Sequence, residues 1–430
     1  KKRLKAGNEP FKVSVVKNQT NYLCLRRWES LRKTNSLTDD ELKLLIKVLV
    51  WLPGTTTGDS SELRIGSSER LWSRINSQKG LCTPELCNQA GRPRCFFYRA
   101  RERAKHSHIV VADQALVLAD LVGQAGTLPE STYLVLDDAH QLEDEATRQW
   151  GMAISPYSLF NYLDWLSRPV TWKVSAKPER NGFLHDFARY YKPDTSPEIK
   201  TLFGQLGEET IRQVDSARET AGNLLRELST LLYQHNQEAG QADGRLRLDQ
   251  KFRNGTTWAE SVGLWEVFHT EWEELYYKLA ELRDEAQEVR TFLDRADEML
   301  TDLNYYVNQC NYLLNKLTAA FETGESGQIF WMGATRLHAT SSAAQAVAPG
   351  DNAPVTERTG VSLYSAPLEV APLLEQRLYN RKRSVAMVSA TLTTENDFGF
   401  IKDRLGLEHI RPQEVRLAPD RDFSRTLLYL

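Results

Sequence analysis

Short apolar runs and amphipathic helices alternate along the first third of the chain. Residues 11–16 alternate polar and apolar side chains, which predicts a short β-strand. An apolar helix is predicted from near Asp40 to Trp51, because Pro53-Gly54 would end it. The later elements predicted in this part are a strand at 109–111, a helix at 115–121 and a strand at 133–136.

The second half of the chain changes to the period of long amphipathic helices. Apolar side chains recur on one face from Leu264 to Leu282 and again from Val289 to Leu317, which predicts two helices in an antiparallel hairpin. Cys310 lies on the second apolar face and is predicted to be a core residue. The other predicted elements are strands at 329–332, 361–364 and 385–388 and a Gly- and Ala-rich loop at 341–359.

The strand predicted at 133–136 ends abruptly in the paired carboxylates of Asp137 and Asp138. An apolar run of this kind indicates a buried strand that brings charge to a sheet edge, which is how a nucleotide-driven motor presents its magnesium ligand. The two carboxylates could instead cap a following helix, because they accept hydrogen bonds from its first amides. Both interpretations are open from these residues alone.

Length and charge describe a chain of several domains with two basic regions. At about 150 residues per domain, the 430 residues predict roughly three domains. The net charge of −3 conceals an excess of basic side chains near the start and around residue 95, which suits phosphate contacts or a plain solvated surface. The candidate DNA-binding residues in these regions are Arg26, Arg27, Arg92, Arg94 and Arg99.

Cys82, Cys87 and Cys95 lie in a loop rich in Pro and Gly, which has no core in which thiols could be buried. Disulfides are not favoured, because neither a signal peptide nor a membrane-spanning segment is recognisable and only 5 Cys occur in 430 residues. A reducing, cytoplasmic location and no membrane partner are therefore predicted. With Cys24 as a distant fourth ligand, the spacing favours an iron-sulfur cluster, with zinc or unligated cysteines as alternatives.

A series of motifs resembles, in the same order, those of the DinG-type, XPD-like DNA helicases of superfamily 2. The resemblance covers nearly all of the chain, although the helical middle matches in position and character only. The motifs are the segment 21–27, the Cys82/Cys87/Cys95 loop, the box Asp137-Asp138-Ala139-His140, the segment 366–370 and the segment 389–393.

This resemblance implies an α/β fold: an incomplete RecA-like motor domain with an iron-sulfur insert and a mostly α-helical arch insert. The implied domains are the first motor domain at 1–23 and 106–150, the iron-sulfur cluster domain at 24–105, the helical arch at 151–327, and the remainder of the first motor domain, up to the start of the second, at 328–430.

The resemblance also implies roles for single residues. Asp137 would bind Mg²⁺ and Asp138 would activate the water that attacks ATP. Members of the family usually carry Glu at the second position, and a carboxylate displaced by about 1 Å can cost about a hundredfold in rate. His140 would face the coupling motif Ser389, Ala390 and Thr391. The ligands implied for a 4Fe-4S cluster are Cys24, Cys82, Cys87 and Cys95.

Aromatic side chains beside the cysteines have two possible uses. They could stack on unpaired bases, each contributing about 1–3 kcal/mol, or they could pack the insert against its neighbours. These side chains are Tyr22, Trp28, Phe96, Phe97 and Tyr98.

The ATP site that can be read from the sequence is incomplete. A phosphate-binding loop ends in Gly-Lys-Ser/Thr, and no Gly-Lys pair occurs in the 430 residues. The family pattern would place that loop before Lys1 and the second motor domain after Leu430. The segment 112–114 also departs from the Asn-His that DinG-like proteins tend to carry there, so no role is assigned to it.

The resemblance therefore implies the central part of an ATP-dependent 5′–3′ DNA helicase that binds single-stranded or forked DNA and a 4Fe-4S cluster. ATP and Mg²⁺ would serve the complete motor, and this chain alone is expected not to turn over ATP. The alternative is a non-catalytic nucleic-acid-binding module with a structural metal centre. A redox sensor that uses the cluster as its switch is a third hypothesis.

Overall fold

The protein has a mixed α/β fold, as predicted from its sequence. The structure is a computed structural model. It describes residues 5–6, 9–32, 37, 39–63, 69–83, 86–87, 95–122, 126–169, 180–239, 244–322, 327–337 and 358–417.

Helices and strands are numbered separately in chain order. The helices are α1 Leu25–Arg32, α2 Asp39–Trp51, α3 Glu69–Trp72, α4 Phe96–Lys105, α5 Gln114–Val122, α6 Leu142–Trp150, α7 Pro156–Leu166, α8 Pro197–Ala239, α9 Gln250–Arg253, α10 Thr256–Glu288, α11 Ala296–Phe321, α12 Ala371–Arg377 and α13 Gly399–Leu405. The strands are β1 Lys5–Ala6, β2 Glu9–Pro10, β3 Val13–Val15, β4 Ile109–Val111, β5 Tyr133–Leu136, β6 Met152–Ile154, β7 Arg168–Pro169, β8 Arg180–Asn181, β9 Arg245–Arg247, β10 Gln328–Leu337, β11 Arg358–Pro367 and β12 Ser384–Met387.

Two pairs of short parallel strands carry the predicted motor residues. β3 pairs with β4, and β5 pairs with β12, so the four strands predicted in these places are confirmed. Leu136 of β5 packs in a buried cluster with residues of α5, α6 and α12. In both pairs one face is apolar and exposed among the described residues, at Val13, Val15, Ile109 and Val111 in the first pair and at Tyr133 and Val135 in the second. Parallel strands are normally covered on both faces, so these faces have room for a further layer.

The cysteine-bearing segment has a small hydrophobic core of its own. Trp28 of α1, Leu44 of α2 and Phe97 of α4 belong to one buried cluster. The helix predicted up to Trp51 is confirmed, because α2 spans Asp39–Trp51 and ends before Pro53. This core fixes where the chain on either side of the cysteines enters and leaves the segment.

The helical region is built on three long helices, of which the sequence predicted two. α10 and α11 pack against each other as the predicted hairpin. The second helix begins at Ala296 rather than at Val289, so its predicted start was wrong. The residues just before Ala296 are not helical. The Asp294 amide donates to the Tyr190 carbonyl at 2.7 Å, and Arg295 takes a left-handed conformation with φ of 49°.

The third long helix, α8, was not predicted, although it spans 43 residues. Gly204 and Gly207 near its start resemble helix breakers in a sequence. In the structure a Cβ at position 207 would lie 3.3 Å from the Phe187 ring, so the missing side chain allows close packing. Packing against α10 compensates for the weak helix propensity of glycine.

An antiparallel sheet of four strands, in the order β6-β11-β10-β9, closes one side of the helical region. The strands predicted at 329–332 and 361–364 are confirmed but are longer, because β10 and β11 pair over ten residues each. Phe330, Met332 and Leu363 pack in the same core as the long helices. The strands β10 and β11 thus lie beside the helices, while the division of the chain into domains stays a prediction. The predicted loop at 341–359 lies outside the described residues except for 358–359, which belong to β11.

Cys310 is fully buried in the helical core, as predicted. Its Sγ lies 3.7 Å from the Trp272 carbonyl oxygen. None of the described helices is both long enough and apolar enough to cross a membrane.

Candidate functional site

The acidic box lies directly after β5, beside the end of β12. The Val388 amide donates to the Leu136 carbonyl at 2.9 Å, and the Ala139 amide donates to the Val388 carbonyl at 3.1 Å. These bonds hold the two strand ends in register. His140 Nδ1 consequently lies 2.7 Å from Ser389 Oγ, a hydrogen bond across 249 residues of sequence. Ala390 and Thr391 follow Ser389 as exposed residues.

Asp137 and Asp138 are both exposed at this strand end. Asp138 has φ of 50° and ψ of 41°, in the left-handed region that few residues other than Gly, Asn and Asp adopt. The Asp138 amide donates to Asp137 Oδ1 at 3.0 Å, which supports this turn. The turn leaves two neighbouring carboxylates open to solvent, a donor set that suits Mg²⁺.

Gln114 is a contact of the acidic box to which the sequence analysis assigned no role. Its Nε2 donates to the Asp137 carbonyl at 2.6 Å and to the Asp138 carbonyl at 3.3 Å. Gln114 begins α5 shortly after β4, just as Asp137 follows β5. Ligand-binding residues often lie at the carboxyl ends of parallel strands. The position of Gln114 shortly after a predicted strand could therefore have identified it as a site residue from the sequence.

Four cysteine side chains meet in a series of contacts within the insert. Cys24 contacts Cys82, Cys82 contacts Cys87, and Cys87 contacts Cys95. All four are free of disulfides, and Cys24 and Cys95 are buried. Thiol hydrogen bonds, first from Cys24 and then from Cys87, hold the pKa of Cys82 well below its ordinary value.

The contacts of the four thiols form a series in which each cysteine touches the next. In the part of the chain that the structure describes, no group of three or more His, Cys, Asp or Glu side chains is arranged to hold a metal ion. Cys24 nevertheless comes from a distant part of the sequence to reach Cys82. The convergence of the four cysteines is therefore a result of folding and not of local sequence.

Most aromatic side chains beside the cysteines are buried in the core of the insert. The exposed fractions of Tyr22, Trp28, Phe96 and Phe97 lie between 3% and 6%. Packing is thus their role in this structure, and base stacking is open to none of these four. Tyr98 is half-buried, and its hydroxyl donates to the Cys82 carbonyl at 3.1 Å.

The structure describes three of the five candidate DNA-binding arginines, of which two are hydrogen-bonded within the protein and one is exposed. Arg26 forms hydrogen bonds to Asp302 at 2.9 and 3.0 Å, and Arg27 donates to the Asn76 carbonyl at 2.8 Å. Arg99 is exposed on α4. Arg92 and Arg94 lie outside the described residues.

Comparison with known proteins gives several relatives, although no family model matches the chain. A protein of Bacillus subtilis named 3'-5' exonuclease DinG is 25% identical over 424 residues, which are 95% of this chain and 40% of that protein. The ATP-dependent DNA helicase YoaA of Haemophilus influenzae is 29% identical over 163 residues, 36% of this chain and 25% of its own length. The ATP-dependent helicase DinG of Mycobacterium tuberculosis is 30% identical over 181 residues, 39% of this chain and 27% of its own length.

The chain thus spans two fifths or less of the length of these relatives. The similarity to the Bacillus subtilis protein extends over nearly the whole of this chain, and the two shorter matches are named ATP-dependent helicases. The chain is therefore related to the DinG-type helicases, as its motifs predicted.

Proposed function

We propose that this chain is part of an ATP-dependent DNA helicase of the DinG type. The contact of 2.7 Å between His140 and Ser389 carries the proposal, because it joins the acidic box after β5 to the Ser-Ala-Thr segment after β12. A motor needs such a link to pass the state of its nucleotide to the DNA side. The names of the relatives support the assignment.

In the proposed mechanism, Asp137 binds Mg²⁺ of MgATP and Asp138 orients the attacking water. Gln114 is a positioning residue, because it holds the carbonyl groups of both aspartates. His140 responds to the nucleotide and transmits the change through Ser389, Ala390 and Thr391. Since the 430 residues contain no Gly-Lys pair, we propose that the chain alone does not turn over ATP.

We propose the finer architecture that the resemblance implies: an incomplete RecA-like motor domain, a cluster-binding insert and a helical arch. The paired parallel strands β3–β4 and β5–β12 support the first part, and the separate core of the cysteine segment supports the second. The hairpin of α10 and α11 with α8 supports the third.

Cys24, Cys82, Cys87 and Cys95 are the residues that would hold a 4Fe-4S cluster. Four thiols in one contact series fit an iron-sulfur group, because thiolates are its usual ligands. When bound, the cluster would supply a covalent cross-link for a segment with only a small core. The same thiols would also suit zinc.

The proposed partner is single-stranded or forked DNA, along which the complete motor would move from 5′ to 3′ in the cytoplasm. Arg99 is exposed and suits a phosphate contact. Arg92 and Arg94 stay candidates from the sequence. Arg26 and Arg27 could contact DNA only after giving up bonds to Asp302 and Asn76, so we assign them first to holding the insert in place.

The test of the proposed helicase compares the complete open reading frame that encodes these residues with the 430-residue chain. The complete product is expected to unwind a forked duplex with ATP, and Asp137→Asn is expected to reduce unwinding by more than about a hundredfold. The 430-residue chain is expected to release no phosphate when DNA is added. DNA-stimulated phosphate release by the chain itself would contradict the proposal, as would full activity of the Asn variant.

The second candidate function is a nucleic-acid-binding module that has lost its chemistry, because Asp stands at position 138 where Glu is usual. In the complete product, Asp138→Glu is expected to raise ATP turnover, by up to about a hundredfold, since the carboxylate would extend by one methylene. Asp144→Glu, at an exposed position on α6, is the matched control and should leave the rate unchanged. Absence of hydrolysis in both proteins would instead favour the binding module.

A further inference from the structure

On the face of the four-stranded sheet that points away from the helices, two aromatic residues lie side by side, with an arginine on one side and an alanine on the other. The strand register places Arg247 beside Trp331, Trp331 beside Tyr364, and Tyr364 beside Ala153. Directly opposed residues in antiparallel strands project to the same face. Because the residues before and after Trp331, Phe330 and Met332, point into the helical core, this row lies on the opposite face of the sheet.

The two rings form a flat, half-buried platform. The ring centroids of Trp331 and Tyr364 are 5.4 Å apart and their planes differ by 13°, which is a stacked arrangement. A Cβ at Gly333 would lie 3.2 Å from Tyr364 Cε2, so the glycine lets the phenol ring lean over the sheet. Ala153 is exposed and small, and it leaves space beside Tyr364. A planar group could therefore stack against this pair.

Two arginines lie at the edge of the same face. Arg245 and Arg247 are exposed on the edge strand β9. Neither has an ion pair or a side-chain hydrogen bond with the residues that the structure describes. The nearby Arg253 differs, because it donates to the carbonyl groups of Leu248 and Phe321. Positive charge is thus available next to the aromatic platform.

A purely structural explanation accounts for only part of this surface. Cross-strand aromatic pairs stabilise sheets, and an aromatic ring can shield a glycine on a neighbouring strand. Those effects explain Trp331, Tyr364 and Gly333, but they require no arginine beside the rings. Stacking surfaces flanked by cations are what unpaired nucleic acid strands bind, and the aromatic residues near the cysteines are buried.

We propose that this sheet face binds an unpaired DNA strand, with a base stacked on Trp331 and Tyr364 and phosphates at Arg245 and Arg247. The charge complementarity of the two exposed guanidinium groups with a phosphate backbone favours nucleic acid as the occupant. The choice of DNA rests on the proposed function. The site would hold the strand at the base of the helical region, apart from the acidic box.

The test measures binding of a fluorescent 20-nucleotide oligothymidine to the 430-residue chain by anisotropy. Trp331→Ala is expected to weaken binding by about 5- to 150-fold, which is the effect of losing one stacked base. Trp331→Phe should restore most of the affinity. Tyr277→Ala removes a more exposed aromatic residue, 60% exposed on α10, and should have no effect.

The dependence on salt separates the roles of the two kinds of side chain. The double variant Arg245→Ala/Arg247→Ala is expected to reduce the slope of log affinity against log salt concentration by about 1.4, at about 0.7 for each phosphate contact. Trp331→Ala should leave that slope unchanged, and Arg212→Ala on the exposed face of α8 should change neither affinity nor slope. Far-ultraviolet circular dichroism confirms that each variant is folded.

Unchanged affinity in both Trp331→Ala and the double arginine variant would overturn the proposal. Equal binding of a blunt duplex and of the oligothymidine would overturn it as well, because paired bases cannot stack on the platform. The outcome is independent of the unwinding test. If these variants lost binding but the complete product did not unwind DNA, the proposed helicase function would be refuted and the proposed binding face would be retained.

Discussion

Replacement of Cys82 by Ser is expected to remove nearly all iron and acid-labile sulfide from the anaerobically purified chain, from about four iron atoms per chain to below one. Cys82 occupies the middle of the thiol series, in contact with both Cys24 and Cys87. Thiol hydrogen bonds from Cys24 and Cys87 lower its pKa, which favours the thiolate form that binds metal. Serine is similar in size and a poor ligand, so loss of iron would reflect ligation rather than unfolding.

Cys310→Ser is the matched control for this experiment. Cys310 is fully buried in the helical core, and a serine hydroxyl there could donate to the Trp272 carbonyl that the thiol now faces. That variant should keep its full iron and sulfide content. Unchanged iron in Cys82→Ser would contradict the assignment of this ligand, and zinc without sulfide in the unaltered protein would show that the centre is not a cluster.

Replacement of Asp302 by Ala is expected to lower the free energy of unfolding by about 3 kcal/mol, at the lower end of the 3–5 kcal/mol typical of broken buried ion pairs. Asp302 accepts two hydrogen bonds from Arg26, at 2.9 and 3.0 Å, and its side chain is only 10% exposed. Removal of the carboxylate leaves a buried guanidinium with weaker compensation. Glu298, at 3.2 Å from Arg26, keeps the loss from being larger.

The same pair connects the cysteine segment to the helical region. Arg26 lies two residues after Cys24 and also donates to the carbonyl of Leu81, which precedes Cys82. Asp302 lies on α11 of the helical hairpin. The variant is therefore expected to release iron faster as well. Without Asp302, Arg26 would be held less firmly, and so would the segments beside Cys24 and Cys82 that Arg26 connects.

Urea denaturation followed by circular dichroism measures the change in stability. Asp40→Ala removes a carboxylate from the exposed pair with Lys43 and is the matched control, with an expected change within about 0.5 kcal/mol. If Asp302→Ala altered the unfolding free energy no more than Asp40→Ala does, the proposed link between the insert and the helical region would be refuted.

Local patterns in the sequence determined the elements around the acidic box. The strands predicted within 11–16 and at 109–111, 133–136 and 385–388, and the helix predicted to end at Trp51, are confirmed. Their apolar periods and their Pro and Gly boundaries act within a few residues, so they can be read without neighbours. The expectation that His140 faces Ser389 came from the resemblance, and the two atoms lie at hydrogen-bonding distance.

Only the tertiary structure decided how distant residues are used. The sequence could not show that α8 is one helix through Gly204 and Gly207, or that Arg26 is bound to Asp302 rather than free for phosphate. It also could not separate the buried aromatic residues near the cysteines from the half-buried platform of Trp331 and Tyr364. The physical reason is the same in each case: burial and ion pairing depend on segments far apart in the chain, whereas composition and periodicity describe only what lies within one element.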